Sequence, residues 1–489
     1  MLFNSFGYLL FLPVVYIVFF LTGERTRWGV LLVASLLFYA AFKLPHLIVV
    51  LAIVATVTYG FGIWIEHCGA ERGKRALLWA GILANVIVLI AMKYVPFLVQ
   101  AIHDLGTVFS AGFQIQPIKT IAAIGVSYYI FQAISYLFDV YLEVEPAEHH
   151  YGRFVLFLAF FPKMLQGPIE RVGDLAPQFE IIPDCELSKF KSGLMLIVVG
   201  LFKKIVIADR LSMFCDPVFS NVQGFSGVNL IGAVYVYAFC LYFDFSGYTD
   251  MAIGSARLFN IDLTQNFNNP YIATSVADFW RRWHISFSRW ILDYIFKPLQ
   301  MQWRNWKSSG TAVALLITFI ISGLWHGASW GFVIWGALHG LYMAISIYSK
   351  SYRKKLHNFC GLEGKPLLKW MQIAITFNLI CFAWLFFRAN SVSDAWYIIV
   401  HSFQETSGTS SLIYAVDAAS DSGSLWQEIF ILMISIFFIA IYSFGDRDKV
   451  LKCFSGLPFW MRFTSYYFVV MYLLLFGYFT KQGFAYVRF

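Results

Sequence analysis

Eleven stretches of this chain are apolar for about the length that a helix needs to cross hydrocarbon, near 3–21, 28–43, 46–65, 77–99, 120–141, 193–210, 228–247, 329–349, 368–388, 426–444 and 464–481. A crossing helix takes roughly 20 such residues, and it satisfies its own backbone where no water is present to do so. The expected fold is therefore all-α and polytopic, with about eleven transmembrane helices in one integral membrane domain covering 1–489. Two further apolar pieces, 153–165 and 311–323, are too brief to span alone and read as re-entrant segments. The first run lacks a basic leader and a small-residue cleavage site, so it reads as a retained helix and not as a removed signal peptide.

Charge sets the orientation. Arg25 and Arg27, then Arg72, Lys74 and Arg75, then the lysine-rich 350–369, then Arg447, Lys449, Lys452 and Arg462 all flank apolar runs. Basic loops stay cytoplasmic, whereas 100–118 and 404–425 contain no Lys or Arg and fall outside. Both termini are then expected outside. The stretch 279–307 interleaves Arg281, Arg282, Arg289, Lys297, Arg304 and Lys307 with Trp and Phe, which suits an amphipathic helix at the cytoplasmic face. Only 13% of residues are charged, and the net charge of +8 is spread over loops beside the runs. Membrane lipid explains that balance; no aromatic-basic tract offers a nucleic-acid surface. The seven cysteines show no CxxC spacing or pairing framework.

Against this background two histidines stand out: His326 in Ser322-Gly323-Leu324-Trp325-His326-Gly327-Ala328, and His284 in Trp280-Arg281-Arg282-Trp283-His284-Ile285-Ser286. Ionisable groups at membrane depth are expensive and are kept mostly for function. Histidine is also the side chain suited to exchanging a proton near neutral pH. Desolvation favours the neutral imidazole, the form that can accept a proton from a hydroxyl. The run lengths place His326 at the tip of a membrane-buried hairpin between 311–323 and 329–349. The plainer reading of His326 is a buried histidine satisfied by a nearby carbonyl, and that of His284 an interfacial residue among Trp280, Trp283 and Trp290. His339 has only the plain reading. His149 and His150 are too sparse for a metal site, and no HExxH-like ligand set occurs. Asp244 and Asp250, in Tyr242-Phe243-Asp244-Phe245-Ser246-Gly247-Tyr248-Thr249-Asp250-Met251, are expected at a helix end or break, capping it or pairing with arginine.

Four motifs together carry a family resemblance. They are Phe161-Pro162 with Gly167-Pro168-Ile169; Phe243-Asp244-Phe245-Ser246-Gly247-Tyr248 with Asp250-Met251-Ala252; Phe279-Trp280-Arg281-Arg282-Trp283-His284-Ile285-Ser286 with Asp293-Tyr294; and Leu324-Trp325-His326-Gly327 with Trp335-Gly336 and His339-Gly340. In order and spacing, over about 120–345, they resemble the bacterial membrane-bound O-acyltransferases, most closely the alginate O-acetylation branch. One departure is Pro298-Leu299-Gln300-Met301-Gln302, where relatives often carry a glycine pair after the proline.

The resemblance implies His326 as the catalytic histidine and His284 as its supporting partner. It also points to Arg281, Arg282, Trp325, Asp293 and Asp250 as donor-binding or supporting groups. The tail over 482–489, Phe484-Ala485-Tyr486-Val487-Arg488-Phe489, resembles the F-x-Y-x-x-F ending of acyltransferases that hand an acyl group to an extracellular partner. Tyr486 would then carry the acyl group as a phenolic ester; the plainer reading is an aromatic membrane-edge anchor. Together these features imply an enzyme of the bacterial inner membrane with no bound cofactor or metal. Its donor would be acetyl-CoA or an acyl-carrier thioester, its partner a secreted SGNH-type acetyltransferase, and its acceptor a polysaccharide such as alginate. Peptidoglycan O-acetylation, D-alanyl transfer to teichoic acid, and transport of an acylated carrier are the alternatives.

Overall fold

The computed structural model describes residues 1–99, 102, 123–419, 425–444 and 456–478. Among these residues every regular element is helical, with one isolated bridge between Ser226 and Ser407. Seven helices are long and apolar enough to cross a membrane: Pro45–His67, Glu71–Val99, Val228–Arg257, Arg304–His326, Trp330–Tyr348, Pro366–Arg388 and Phe459–Phe476. The helices Phe6–Leu21, Arg27–Ala40 and Leu425–Ile441 are apolar but shorter. Among the described residues, the expected count of about eleven is thus not reached by length and composition. The run at 120–141 forms Val126–Tyr141, a helix buried on nearly every side and not exposed to lipid.

Two expectations are corrected. The piece 311–323 is no short re-entrant segment but the middle of a 20-residue helix, Lys307–His326. At 1.5 Å per residue such a helix measures about 30 Å, a full hydrocarbon thickness. Nor is 279–307 one amphipathic helix. It breaks into Val276–Trp280, Ile285–Ile291 and Lys297–Gln302, with a wide π turn at Leu292–Phe296. Its tryptophans 280, 283 and 290 are buried in the protein, while Arg281 and Arg289 are exposed. The other short piece, 153–165, gives a nine-residue helix, Tyr151–Ala159, followed by buried non-helical chain. That is the arrangement irregular backbone needs when protein takes the place of water.

Glycine sets how closely the central helices approach. In the antiparallel pair Leu187–Leu201 and Val228–Arg257, a Cβ on Gly200 would lie 2.5 Å from the Gly247 carbonyl, and one on Gly254 would lie 2.5 Å from the Gly193 carbonyl. Glycines seven apart share a face, so each helix offers two flat places to its neighbour. Small residues play this part in membrane helix pairs, where dispersion replaces the hydrophobic drive.

The same pair buries its charges. Leu187–Leu201 runs into a π turn, Phe202–Ala208, that carries Lys203 and Lys204. Lys203 donates to Asp250 at 2.6 Å, and Lys204 donates to Asp244 at 2.6 Å and lies 2.8 Å from Asp209. Asp244 and Asp250 therefore sit inside one continuous 30-residue helix and pair with lysine, not at a helix break with arginine. Removing one partner of a buried pair leaves an uncompensated charge and costs about 3–5 kcal/mol. Lys204→Ala is expected to lower stability by that amount, read as a fall in the unfolding midpoint in detergent. An unchanged midpoint would show that Asp244 is neutral or hydrated.

Candidate functional site

The helix Lys307–His326 ends at the histidine itself, with the Gly327 amide still bonded to the Gly323 carbonyl at 3.3 Å. Three residues later Trp330–Tyr348 begins and runs back along it. The two arms touch almost backbone to backbone. A Cβ on Gly323 would lie 2.2 Å from the Phe332 carbonyl, and one on Gly336 would lie 2.2 Å from the Phe319 carbonyl. This close seam fixes the direction in which His326 leaves the hairpin.

His284 is positioned by strain of a different kind. Its backbone takes φ 45° and ψ 56°, the left-handed region, as the residue that starts Ile285–Ile291. Non-glycine residues there cost free energy and cluster at functional sites. The turn is pinned by Asn266, whose carbonyl accepts from the Ile285 amide and whose side-chain oxygen accepts from the Ser286 amide, both at 3.0 Å. Ser286 in turn accepts from the Ile169 amide at 3.0 Å, which ties in the Gly167-Pro168-Ile169 motif. His284 is fully buried in protein and so is not an exposed interfacial residue.

These two constructions bring the imidazoles to one aromatic chamber. Phe287 lies between them, its ring centre 5.0 Å from that of His284 and 5.3 Å from that of His326. Trp325 stacks on Phe287 at 4.5 Å and lies 6.2 Å from His284 and 4.7 Å from His326. Trp335 and Phe387 close the His326 side; Phe245 and Tyr128 close the His284 side. Both ring nitrogens of His284, and the indole nitrogens of Trp325 and Trp335, are buried with no hydrogen-bond partner among the described residues. A buried polar atom left unpaired costs about 1–3 kcal/mol. A cluster of them in one chamber is chemistry that a bound polar group would satisfy.

His339 lies next door, fully buried, with its Nδ1 accepting from the Trp280 indole at 3.2 Å. The other sequence-selected residues lie outside the chamber. Arg281 is exposed, and Arg282 pairs with Asp278 at 3.0 Å one helical turn back. Asp293 is held by Arg171 and by Lys297. Burial would raise its carboxyl, but hydrogen bonds from Lys297 and Arg171 outweigh that and keep it below the usual carboxylate range. Asp250 belongs to the lysine pair already described, and Tyr486 lies outside the described residues. Among the described residues no three His, Cys, Asp or Glu side chains gather as a metal site.

One contributor escaped the sequence reading. Lys93, in the π turn Ile90–Tyr94 of the Glu71–Val99 span, donates to the Trp325 carbonyl at 2.7 Å and the His326 carbonyl at 3.2 Å. Tyr94 donates to the Leu324 carbonyl at 2.7 Å. The available signal was a single lysine within the apolar run 77–99.

A model of the membrane-bound O-acyltransferase family matches residues 142–386, which include both chamber histidines. A protein described as "probable alginate O-acetylase" in Pseudomonas aeruginosa is 36% identical over 81% of this chain and 74% of its own length. Another of that description, from Azotobacter vinelandii, is 34% identical over 94% of this chain and 87% of its own. A peptidoglycan O-acetyltransferase from Helicobacter pylori is 32% identical over 79% of this chain and 76% of its own.

Proposed function

We propose, since this chain belongs to the membrane-bound O-acyltransferase family, that it carries an acetyl group from a cytoplasmic thioester across the membrane to a polysaccharide hydroxyl outside. The protein is a multi-pass membrane acyltransferase. In the proposed reaction His326 is the general base. Its neutral ring takes the proton of the attacking hydroxyl as oxygen bonds to the thioester carbonyl. The C–S bond then breaks, and the proton passes to the leaving thiolate. General-base help of this kind is worth roughly 10²–10⁴ in rate. His284 orients the reacting groups, and the indoles of Trp325 and Trp335 offer donors to the carbonyl oxygen.

The observation that carries this reading is the meeting of His284 and His326 across Phe287 and Trp325 in a buried chamber with unpaired donors and acceptors. The alginate O-acetylase relatives support a polysaccharide acceptor, and the peptidoglycan O-acetyltransferase relative supports a cell-wall glycan as the second reading. In the proposed topology the basic loops face the cytoplasm and both termini lie outside, at the bacterial inner membrane. A secreted SGNH-type acetyltransferase would finish the transfer.

The test is acetyl content of secreted polysaccharide in a strain whose own enzyme is replaced by this one. His326→Ala is expected to abolish it, and a normal acetyl content would overturn the assignment. A transporter would instead bind a thioester without cleaving it. The tail gives a separate prediction. If Tyr486 carries the acetyl group as a phenolic ester, Tyr486→Phe leaves thioester hydrolysis intact and removes acetate from the polysaccharide. Undiminished polysaccharide acetylation in that variant would retire the shuttle and leave the enzyme.

A further inference from the structure

The carbonyls at the end of a helix point past its last residue with no amide of their own helix to meet them. In Lys307–His326 the carbonyls of Leu324, Trp325 and His326 are met instead by a different part of the chain, Tyr94 and Lys93. Helix ends carry partial negative charge, and a lysine ammonium suits that place. An ammonium within a membrane span is costly and is kept mostly for function. Both donors lie on a π turn, a local widening of the helix that is frequent at functional sites. It sends two consecutive side chains to three consecutive carbonyls.

We propose that Lys93 is a positioning residue for acyl transfer, holding the helix end that carries His326 so that the imidazole keeps its angle to Phe287 and Trp325. The proposal rests on the reading of His326 as the base. In this role Lys93 acts through the backbone carbonyls of Trp325 and His326. Tyr94 shares the task one carbonyl earlier, so its loss should matter less.

A base displaced by about 1 Å can cost 10²-fold in rate while the substrate still binds. Lys93→Met, in purified protein with acetyl-CoA as the thioester, is therefore expected to lower kcat by about 10–100-fold, with KM within about twofold of wild type. Lys93→Arg keeps a charged donor and should recover most of the loss, whereas Tyr94→Phe should fall only about threefold. Should Lys93→Met not fold, Lys93→Gln, a neutral donor, gives the same reading with a smaller loss. Wild-type kcat in Lys93→Met or Lys93→Gln, beside an inactive His326→Ala, overturns the positioning role and leaves the base assignment standing. A raised KM at unchanged kcat overturns it too, because Lys93 would then act on donor binding. An active His326→Ala defeats the base assignment itself, whatever Lys93 does.

Discussion

Replacing His326 by alanine is expected to lower the transfer rate by about 10³-fold or more, with little change in the amount of folded protein. The two halves of that expectation have separate causes. The rate falls because, in the proposed reaction, nothing else is placed to take the hydroxyl proton. His284 is the other imidazole in the chamber, in contact with Phe287 as His326 is, and in the proposed reaction it orients the reacting groups. The fold persists because the backbone at His326 is secured independently of the ring contacts that alanine would remove. Its carbonyl is bonded by Lys93, and the hairpin below it is closed by glycine contacts. The measurement is kcat of purified protein beside its unfolding midpoint. A loss of folded protein that accounts for all the lost activity would refute the claim of a chemical role.

Gly336→Ala is expected to do the reverse, removing structure first. Its new methyl would lie 2.2 Å from the Phe319 carbonyl oxygen, with the Ile320 Cα also close at 3.1 Å. Backbone cannot rotate away as a side chain can, so the two arms of the hairpin must part. Overpacking typically costs about 1–3 kcal/mol and occasionally more; with backbone as the obstacle the upper end or beyond is expected. Gly232→Ala is the control, since a Cβ there meets nothing within 4 Å. Within a helix alanine gains up to about 1 kcal/mol over glycine, and Gly232 is half-buried with room for the methyl. Gly336→Ala should unfold well below wild type with little activity, and Gly232→Ala should match wild type or exceed it. Equal midpoints for the two would show that the seam is looser than its geometry.

The class of fold was legible because hydrocarbon imposes a length, and apolar length is written directly in the chain. The runs near 46–65, 77–99, 228–247, 329–349, 368–388 and 464–481 each meet a long helix. The run 311–323 misled because the residues before it, Lys307, Ser308, Ser309 and Gly310, are polar or small and do not extend the apolar count. They form the helix's first turn, near the exposed Arg304–Trp306 turn, where polar residues cost little. The stretch 279–307 misled in the other direction. Its charges and tryptophans have amphipathic spacing, yet His284 turns the chain into the left-handed region and no propensity announces that.

Both chamber histidines were found by the cost of an ionisable group in an apolar setting. The same rule would have found Lys93, had the lysine in 77–99 been asked for its partner. That partner lies more than 230 positions further along the chain, at the Trp325 and His326 carbonyls. For Asp244 and Asp250, sequence spacing supplied the burial question but not the answer. Their lysines sit on a neighbouring helix, side by side on a π turn.

The bond from Lys93 to the His326 carbonyl also bears on modularity. The family-matched stretch 142–386 contains both histidines but not the residue that secures one of them. An excised 142–386 fragment, or a chimera grafting it onto another amino-terminal portion, would inherit the two histidines without the Lys93 contact at the His326 carbonyl. Such a chimera keeps the Lys93 contact to the His326 carbonyl only if the recipient supplies an equivalent cation at that depth. The first hundred residues are thus less a membrane anchor than a component of the interchangeable unit itself.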